Sequence, residues 1–301
     1  MSESVSTPLR IGVIGCGQVA MKGALPGFSP PGSERAGDAA PFLRFDGAPD
    51  VTIALVADVD RTRVRSAVAR FGAEQSWFGD ATSVLGDFQL DGVVVCTPPD
   101  ALAGLATAAV EAGVSVLVEK PVVRTPAQLA SLLAAHRRQP GLTCMVNLAW
   151  TYHPAVERAR TLVADGAVGD VERVTCTFEH GGPRGWAPEA TWYRGPDAGG
   201  PVADLGLHVL AMVERVVGLP VTLASSDGHQ AHGQAGAAEV TLAVGWDADS
   251  PRFALELEGA EASLSLQLAP WAAAKRSLRI ALRGGRTDST AMLLSFTATP
   301  S

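Results

Sequence analysis

The sequence predicts an α/β Rossmann fold, a doubly wound parallel sheet, followed by an α+β domain with a mainly antiparallel sheet. Three observations predict it. From Leu9 to Val146, β-rich apolar runs alternate with helix-like segments, the order expected of a parallel sheet covered on both faces. A glycine-rich turn, Gly15-Cys16-Gly17-Gln18-Val19-Ala20, follows the first run directly. Beyond about residue 147 the runs alternate polar and apolar residues and are separated by turns, which suits antiparallel strands with one solvated face. The chain therefore divides into residues 1–147 and 148–301.

Leu9 to Ile14 is the first strand, and the turn after it has the G-x-G-x-x-A form of a dinucleotide fingerprint. Gly15 permits the tight turn, and Gly17 lets the backbone approach a pyrophosphate. Ala20 lets the helix pack on the strand, while Gln18 and Val19 stand at the helix N-terminus that faces the phosphates. The second strand, Val51 to Ala57, ends in Asp58, where an acid binds the adenosine ribose hydroxyls. About 20 residues usually separate the glycines from that acid, and here the interval is roughly twice as long. Ser29 to Asp50, rich in Pro, Gly and Ala, accounts for the excess as an inserted loop. It joins the end of the first helix to the start of the second strand and so lies on the sheet edge opposite the nucleotide. An oligomer contact or a flap suits that place better than a catalytic lid.

Arg61 to Phe71 has the spacing of a helix packed on a sheet, with Val64, Val68 and Phe71 inward. Asp91 to Cys96 is a buried strand, closed by Thr97-Pro98-Pro99-Asp100, whose prolines form a rigid wall without backbone donors. A helix from Ala101 to Ala112 leads into the strand Val114 to Val118, and Glu119-Lys120-Pro121 stands at its carboxyl end, the edge where ligands bind in open α/β sheets. Among 24 basic residues, lysine occurs only at Lys22, Lys120 and Lys275, so arginine is the default cation. Lys120 then offers what a guanidinium cannot, a compact ammonium whose pKa burial can lower. A surface ion pair at a loop start is the competing account. Thr125-Pro126 caps a helix to about Arg138, and Leu142 to Val146 is the last strand of a sheet expected to hold six, of which these runs place five.

In the second half, a helix from His153 to Ala164 closes at Asp165-Gly166, and alternating strands follow at Val171 to Glu179, Val221 to Ser225, Glu239 to Trp246, Phe253 to Glu258 and Ala262 to Leu268. Between the first two of these strands lies Asp197-Ala198-Gly199-Gly200-Pro201-Val202-Ala203-Asp204-Leu205-Gly206-Leu207-His208. It opens a helix whose Leu205, Val209, Met212, Val213 and Val216 face the core. Asp204 and His208, at i and i+4, share one face. A helix cap and a hydrogen-bonded core histidine would explain the pair without chemistry. The preceding glycines and proline, which allow a ligand to approach closely, favour a site.

A net charge of −7 and a pI near 5.4, with no arginine-rich face, exclude a nucleic-acid footprint. The N-terminus lacks a basic, then apolar, leader, and no run is long enough for a membrane span, so a cytoplasmic protein without a membrane partner is expected. Cys16, Cys96, Cys144 and Cys176 have no metal-ligand spacing and read as reduced core residues. No metal site is expected.

Taken in order, Gly15 to Ala20, Asp58, Cys96-Thr97-Pro98-Pro99-Asp100, Glu119-Lys120-Pro121, Asp165-Gly166-Ala167-Val168-Gly169, and Gly199-Gly200 leading to Asp204-x-Gly206-x-His208 resemble the glucose–fructose oxidoreductase / inositol dehydrogenase (Gfo/Idh/MocA) family. The resemblance covers the chain to about residue 268. It implies an NAD(P)-binding Rossmann domain and a substrate and oligomerisation domain. It further implies hydride transfer at a secondary alcohol or ketone of a sugar, cyclitol or related polyol, and frequent homo-oligomers through the second sheet. It makes Lys120, Asp204 and His208 the catalytic residues. Gly15, Gly17, Gln18, Val19, Asp58, Thr97, Pro98, Pro99, Glu119 and Lys120 become the cofactor-binding ones. Three departures stand out: Leu102 where many relatives carry histidine, Thr151 where many carry arginine, and a short tail, Ala269 to Ser301, without the long returning segment. An NAD-dependent glycosidase and a non-catalytic NAD(P)-sensing regulator keep the same fold.

Two finer expectations follow. Asp58 favours NAD over NADP because its carboxylate repels a 2′-phosphate, although Arg61 and Arg63 stand close enough to clamp one. For a polyol or ketosugar lying between the two domains, Trp150, Tyr152 and the loop Glu179 to Arg194 supply the wall. In that loop His180, Arg184, Trp186, Trp192, Tyr193 and Arg194 concentrate aromatic faces and charged donors, and Trp150, Tyr152, Trp192 and Arg194 are the substrate-binding candidates.

Overall fold

The computed structural model describes residues 7–28, 50–181, 200–246, 248–249, 252–268, 278–284 and 292–296. The inserted loop at 29–49, and Trp192 and Arg194 with most of their loop, lie outside the described residues. The chain forms two units, Met1–Asn147 and Leu148–Ser301.

The first unit is built on six parallel strands, β1 (Leu9–Ile14), β2 (Val51–Asp58), β3 (Gln75–Phe78), β4 (Gly92–Val95), β5 (Ser115–Val118) and β6 (Cys144–Val146), in the order β3-β2-β1-β4-β5-β6. The order reverses between β1 and β4, so the ends of those strands form the crevice of a doubly wound sheet. Side chains along β1 and β2 alternate between two cores. Val13 and Val56 pack with Val64, Ala67 and Phe71 on one face, whereas Ile14 and Ala57 pack with Leu102, Leu105 and Ala106 on the other. Leu102 is thus a core residue, which accounts for an apolar side chain at that position.

The first crossover begins as a π-helical turn, Ala20–Ala24, and passes into the short helix α1 (Leu25–Gly27). The longer helices have identifiable starts. Asp60 accepts hydrogen bonds from the amides of Thr62 and Arg63 to cap α2 (Arg61–Phe71), and Thr125 with Gln128 makes a capping box on α4 (Pro126–Arg138). Pro99 stands in the first turn of α3 (Pro99–Glu111), two residues earlier than the sequence suggests, because proline needs no N–H there.

The second unit carries the helices α5 (Pro154–Ala164) and α6 (Gly200–Val217) on an eight-stranded sheet. Its strands are β7 (Val171–Glu179), β8 (Val221–Ser226), β9 (Gln230–Ala235), β10 (Ala238–Gly245), β11 (Arg252–Gly259), β12 (Ala262–Leu268), β13 (Leu278–Gly284) and β14 (Met292–Phe296), ordered β14-β13-β12-β11-β7-β10-β9-β8. Neighbours are antiparallel except β7 and β10, which run parallel from Glu239↔Arg173 to Gly245↔Glu179. One apolar face of α6, Leu205, Val209, Met212, Val213 and Val216, packs with Val174, Cys176 and Phe178 of β7 and with Val240, Leu242 and Val244 of β10.

Four strands, β3, β9, β13 and β14, have no range in the sequence expectation. β9 is Gln-Ala-His-Gly-Gln-Ala, without the β-branched residues that mark a strand, and pairing with β8 and β10 imposes its conformation. A side chain at Gly233 would place its Cβ 2.2 Å from the Thr222 carbonyl oxygen, so glycine lets β8 come close. The tail is not merely short: β13 and β14 lie within it and extend the sheet beyond β12.

Candidate active site

At the carboxyl edge of the first sheet, the fingerprint glycines play different parts. Gly15 has φ +88°, and a Cβ there would lie 2.6 Å from the Cys96 carbonyl oxygen. It is required both by the turn and by the close passage of the chain leaving β4. Gly17 is the reverse: among the described residues, a Cβ there would meet nothing within 4 Å. Its space is open to a ligand. Ala20 is fully buried against β1's core, as helix packing demands, and the Met21 amide donates to the Gly17 carbonyl to start the helical turn.

Asp58, buried at the end of β2, is built into this loop. Its Oδ2 accepts from the Cys16 amide at 2.7 Å, and its Oδ1 from the Asp60 amide at 2.8 Å. Each oxygen keeps a second lone pair, so ribose hydroxyls remain acceptable donors to it. The two nearby arginines are engaged locally: Arg61 lies over the Phe78 ring at 4.7 Å and Arg63 pairs with Asp60 at 3.7 Å.

After β4, the Thr97 hydroxyl is buried with no hydrogen-bond partner among the described residues. Pro98 and Pro99 begin α3, and Asp100 is paired with Arg124. Glu119 extends β5 by donating its amide to the Val95 carbonyl, and its Oε1 accepts from Asn147 Nδ2 at 2.5 Å. The Lys120 amide reaches Glu119 Oε2 at 3.3 Å, and a cis peptide joins Lys120 to Pro121. Open space at Gly17, an unpartnered buried hydroxyl at Thr97 and a carboxylate at Asp58 fit a dinucleotide, whose pyrophosphate and ribose would meet these groups.

Two cysteines belong to this edge. Burial, reinforced by the Asp58 carboxylate, pushes the Cys16 thiol up to about 12, and burial with Glu119 and Cys16 nearby raises Cys96 well above the usual thiol range. Both therefore remain thiols, as do Cys144 and Cys176, which burial also raises, and none has the depressed pKa of a nucleophile.

In the second unit, α6 begins at Gly200, which has φ +64°, so Asp204 lies beyond the first turn and is not a cap. Asp204 is buried at 7 % exposure, and its Oδ2 accepts from the Trp246 indole N–H at 3.3 Å. One turn further, the His208 ring meets Phe178 at 6.2 Å in an edge contact. Phe178 also meets His180 at 5.5 Å and Trp150 at 6.0 Å, and it stacks on Phe253 at 4.3 Å.

The sequence-selected Trp150 therefore joins the aromatic group that His208 touches. Tyr152, half-exposed, lies under the Arg215 guanidinium at 5.8 Å, two turns along α6 from His208. Sequence reasoning gave no part to Trp246 or Phe178 and placed His180 in a loop. Its amide instead donates to the Gly245 carbonyl at 3.0 Å and continues the β7–β10 ladder by one residue. The available signal was an indole, a donor-only group, at a strand end in a chain with a helical carboxylate to satisfy.

Comparisons with known proteins agree with this architecture. Residues 9–148 match the family model for an oxidoreductase family with an NAD-binding Rossmann fold, and residues 156–286 match the GFO/IDH/MocA C-terminal domain. A dTDP-3,4-didehydro-2,6-dideoxy-α-D-glucose 3-reductase of Streptomyces violaceoruber is 30% identical over 210 residues, 70% of this chain and 55% of that protein. Inositol 2-dehydrogenase 1 of Saccharopolyspora erythraea is 30% identical over 134 residues, 44% of this chain and 40% of that protein. The chain thus spans about half the length of these curated relatives. Among solved structures, a 3-ketoreductase from Actinomadura kijaniata with NADP and TDP-benzene superposes with a TM-score of 0.76 at 20% identity, covering 97% of this chain and 85% of that one. An oxidoreductase domain protein from Kribbella flavida gives 0.75 at 24% identity, covering 98% and 81%.

Proposed function

The chain belongs to the GFO/IDH/MocA oxidoreductase family, and from that premise we propose that it transfers a hydride between NAD(P) and a secondary alcohol or ketone of a sugar, cyclitol or related polyol. One observation carries the reading. On α6 a buried carboxylate, Asp204, held by an indole N–H, stands one turn before His208, in a chain whose other unit has a dinucleotide-binding loop. The nicotinamide supplies the hydride acceptor or donor.

The remaining roles fall to the chain's own residues. His208 takes the hydroxyl proton during oxidation, or returns it during reduction, because an imidazole exchanges protons near neutral pH. Lys120 donates a hydrogen bond to the same substrate oxygen and stabilises negative charge developing there. Asp204 orients His208 or holds a neighbouring hydroxyl. Trp150, Tyr152, Trp192 and Arg194 supply the substrate wall, and Asp58 gives NAD preference over NADP. A cytoplasmic location and a homo-oligomer formed through the second unit's sheet complete the proposal, and exposed Leu223 on β8 and Leu219 before it support the oligomer.

Lys120→Ala and His208→Ala should each cut turnover by about two to four orders of magnitude, the size of an acid–base contribution, while dinucleotide binding persists. The assay incubates the protein with NAD(P) and a panel of polyols, ketosugars and aryl glycosides, following both NAD(P)H absorbance and aglycone release. Near-normal turnover in both variants removes the proposed roles. Aglycone release without net NADH identifies a glycosidase, and dinucleotide binding without any product identifies a sensor.

A further inference from the structure

We propose that Trp246 is a positioning residue for Asp204, fixing the carboxylate through its indole N–H so that the Asp204–His208 pair is held in one arrangement. The inference rests on the reading of Asp204 and His208 given above. Its geometry is local to the second unit. β7 and β10 are parallel with Gly245 opposite Glu179, so the residue after each, Trp246 and His180, leaves the sheet at the same edge. Trp246 also packs on the core formed by β7, β10, β11 and α6, so its ring is held by apolar contacts while its N–H points to Asp204 Oδ2 at 3.3 Å.

The chemistry of the pair makes this more than packing. An indole can donate one hydrogen bond and accept none in return, so it selects the carboxylate's acceptor face and cannot itself exchange a proton with it. Asp204 is buried, where an ionised carboxylate without donors is costly. A donor anchored on a strand end costs little entropy to hold in place, because the ring is already packed. Phe178 adds to the frame: its ring meets both His208 and His180, the latter beside Trp246 across the β7–β10 ladder. The carboxylate and the imidazole of α6 are thus each held by a side chain from one sheet edge.

The test has two arms. In the first, the Trp246 indole N–H resonance of the ligand-free protein is assigned with Trp246→Phe, and its hydrogen exchange is measured. Asp204→Ala should remove its protection and shift the resonance, and Asp204→Asn, which keeps a carbonyl acceptor, should preserve much of that protection. A resonance indifferent to both substitutions overturns the inference, whatever becomes of the proposed reaction.

In the second arm, Trp246→Phe keeps the ring and removes the donor. Using the panel compound turned over fastest, turnover number should fall about tenfold or more, the size of a hydrogen bond to a charged acceptor, with KM little changed. The double variant Trp246→Phe with Asp204→Ala should be no slower than Asp204→Ala alone, because Trp246 acts only through Asp204. Additive losses, or full turnover in Trp246→Phe, overturn positioning. Full turnover in Asp204→Ala, with the resonance response intact, overturns the underlying catalytic reading instead and leaves the bond structural. A protein that converts no panel compound overturns the catalytic reading, and the resonance arm then decides whether Trp246 holds Asp204.

Discussion

Substituting alanine at Gly15 and at Gly17 should produce opposite defects, although the two positions belong to one motif. At Gly15 an added Cβ meets the Cys96 carbonyl oxygen at 2.6 Å, its carbon at 2.7 Å and the Thr97 amide nitrogen at 2.9 Å, all backbone atoms. The backbone at φ +88° adds strain of about 1–2 kcal/mol for a residue with a side chain. Relieving an overlap of this kind costs about 1–3 kcal/mol more. Gly15→Ala should therefore lose roughly 2–5 kcal/mol, enough to lower the melting temperature by about 5–15 °C for a domain of this size.

At Gly17 nothing among the described residues lies within 4 Å of the added methyl, and the backbone is not left-handed. Gly17→Ala should melt at or slightly above the parent temperature, because alanine restricts the unfolded chain. Its defect should appear on adding dinucleotide: a methyl in the space for the pyrophosphate weakens NADH binding by roughly tenfold or more. Scanning fluorimetry without ligand and fluorescence titration with NADH measure the two effects. A Gly15→Ala protein as stable as the parent would refute the packing argument. A Gly17→Ala protein that binds NADH normally would remove the loop from the cofactor site.

Two further outcomes are expected. His153 caps α5 with Nδ1 accepting from the Ala155 amide at 3.1 Å, and burial lowers its pKa, so only the neutral ring caps. Stability from this cap is present above the ordinary imidazole value of about 6.5 and is lost as pH falls from there toward the lower folded value. His153→Ala should lose about 1 kcal/mol at pH 8 in urea unfolding and show a weaker acid-side decline; an identical decline assigns the slope elsewhere. For Asp58, titration should show tighter binding of NADH than of NADPH, and Asp58→Ser should narrow the gap; tighter NADPH binding by the parent protein would reverse the assignment.

The elements legible in the sequence were those whose local pattern and tertiary role agree. β1, β2, β4 and β5 are apolar runs because both faces are covered, and Asp58 could be placed at a strand end from that pattern alone. Gly15 was legible as a turn residue but not as a neighbour of Cys96, since the contact joins chain segments about 80 residues apart through the order of strands. β9 escaped notice because its partners, not its own residues, make it a strand. At the site, Asp204 and His208 were visible through helical spacing, but Asp204's partner was not. Trp246 follows it by 42 residues, and the packing of α6 on β10 brings the two together.

The pairing of β10 with β7 is the one parallel couple among the otherwise antiparallel neighbours of the described strands of the second sheet. In an antiparallel pair the chains leave at opposite edges, so residues following the two strand ends are separated by the length of the strand. A parallel pair sends both chains out at one edge. With Gly245 beside Glu179, that edge receives Trp246 and His180 together. β11, antiparallel to β7, begins at the same edge and stacks Phe253 on Phe178 at 4.3 Å. Reversing β10 would keep an apolar sheet under α6 but carry the indole to the far edge, away from Asp204. The sheet's strand directions thus decide which donor reaches the buried carboxylate, and the helix spacing decides that His208 stands one turn from it.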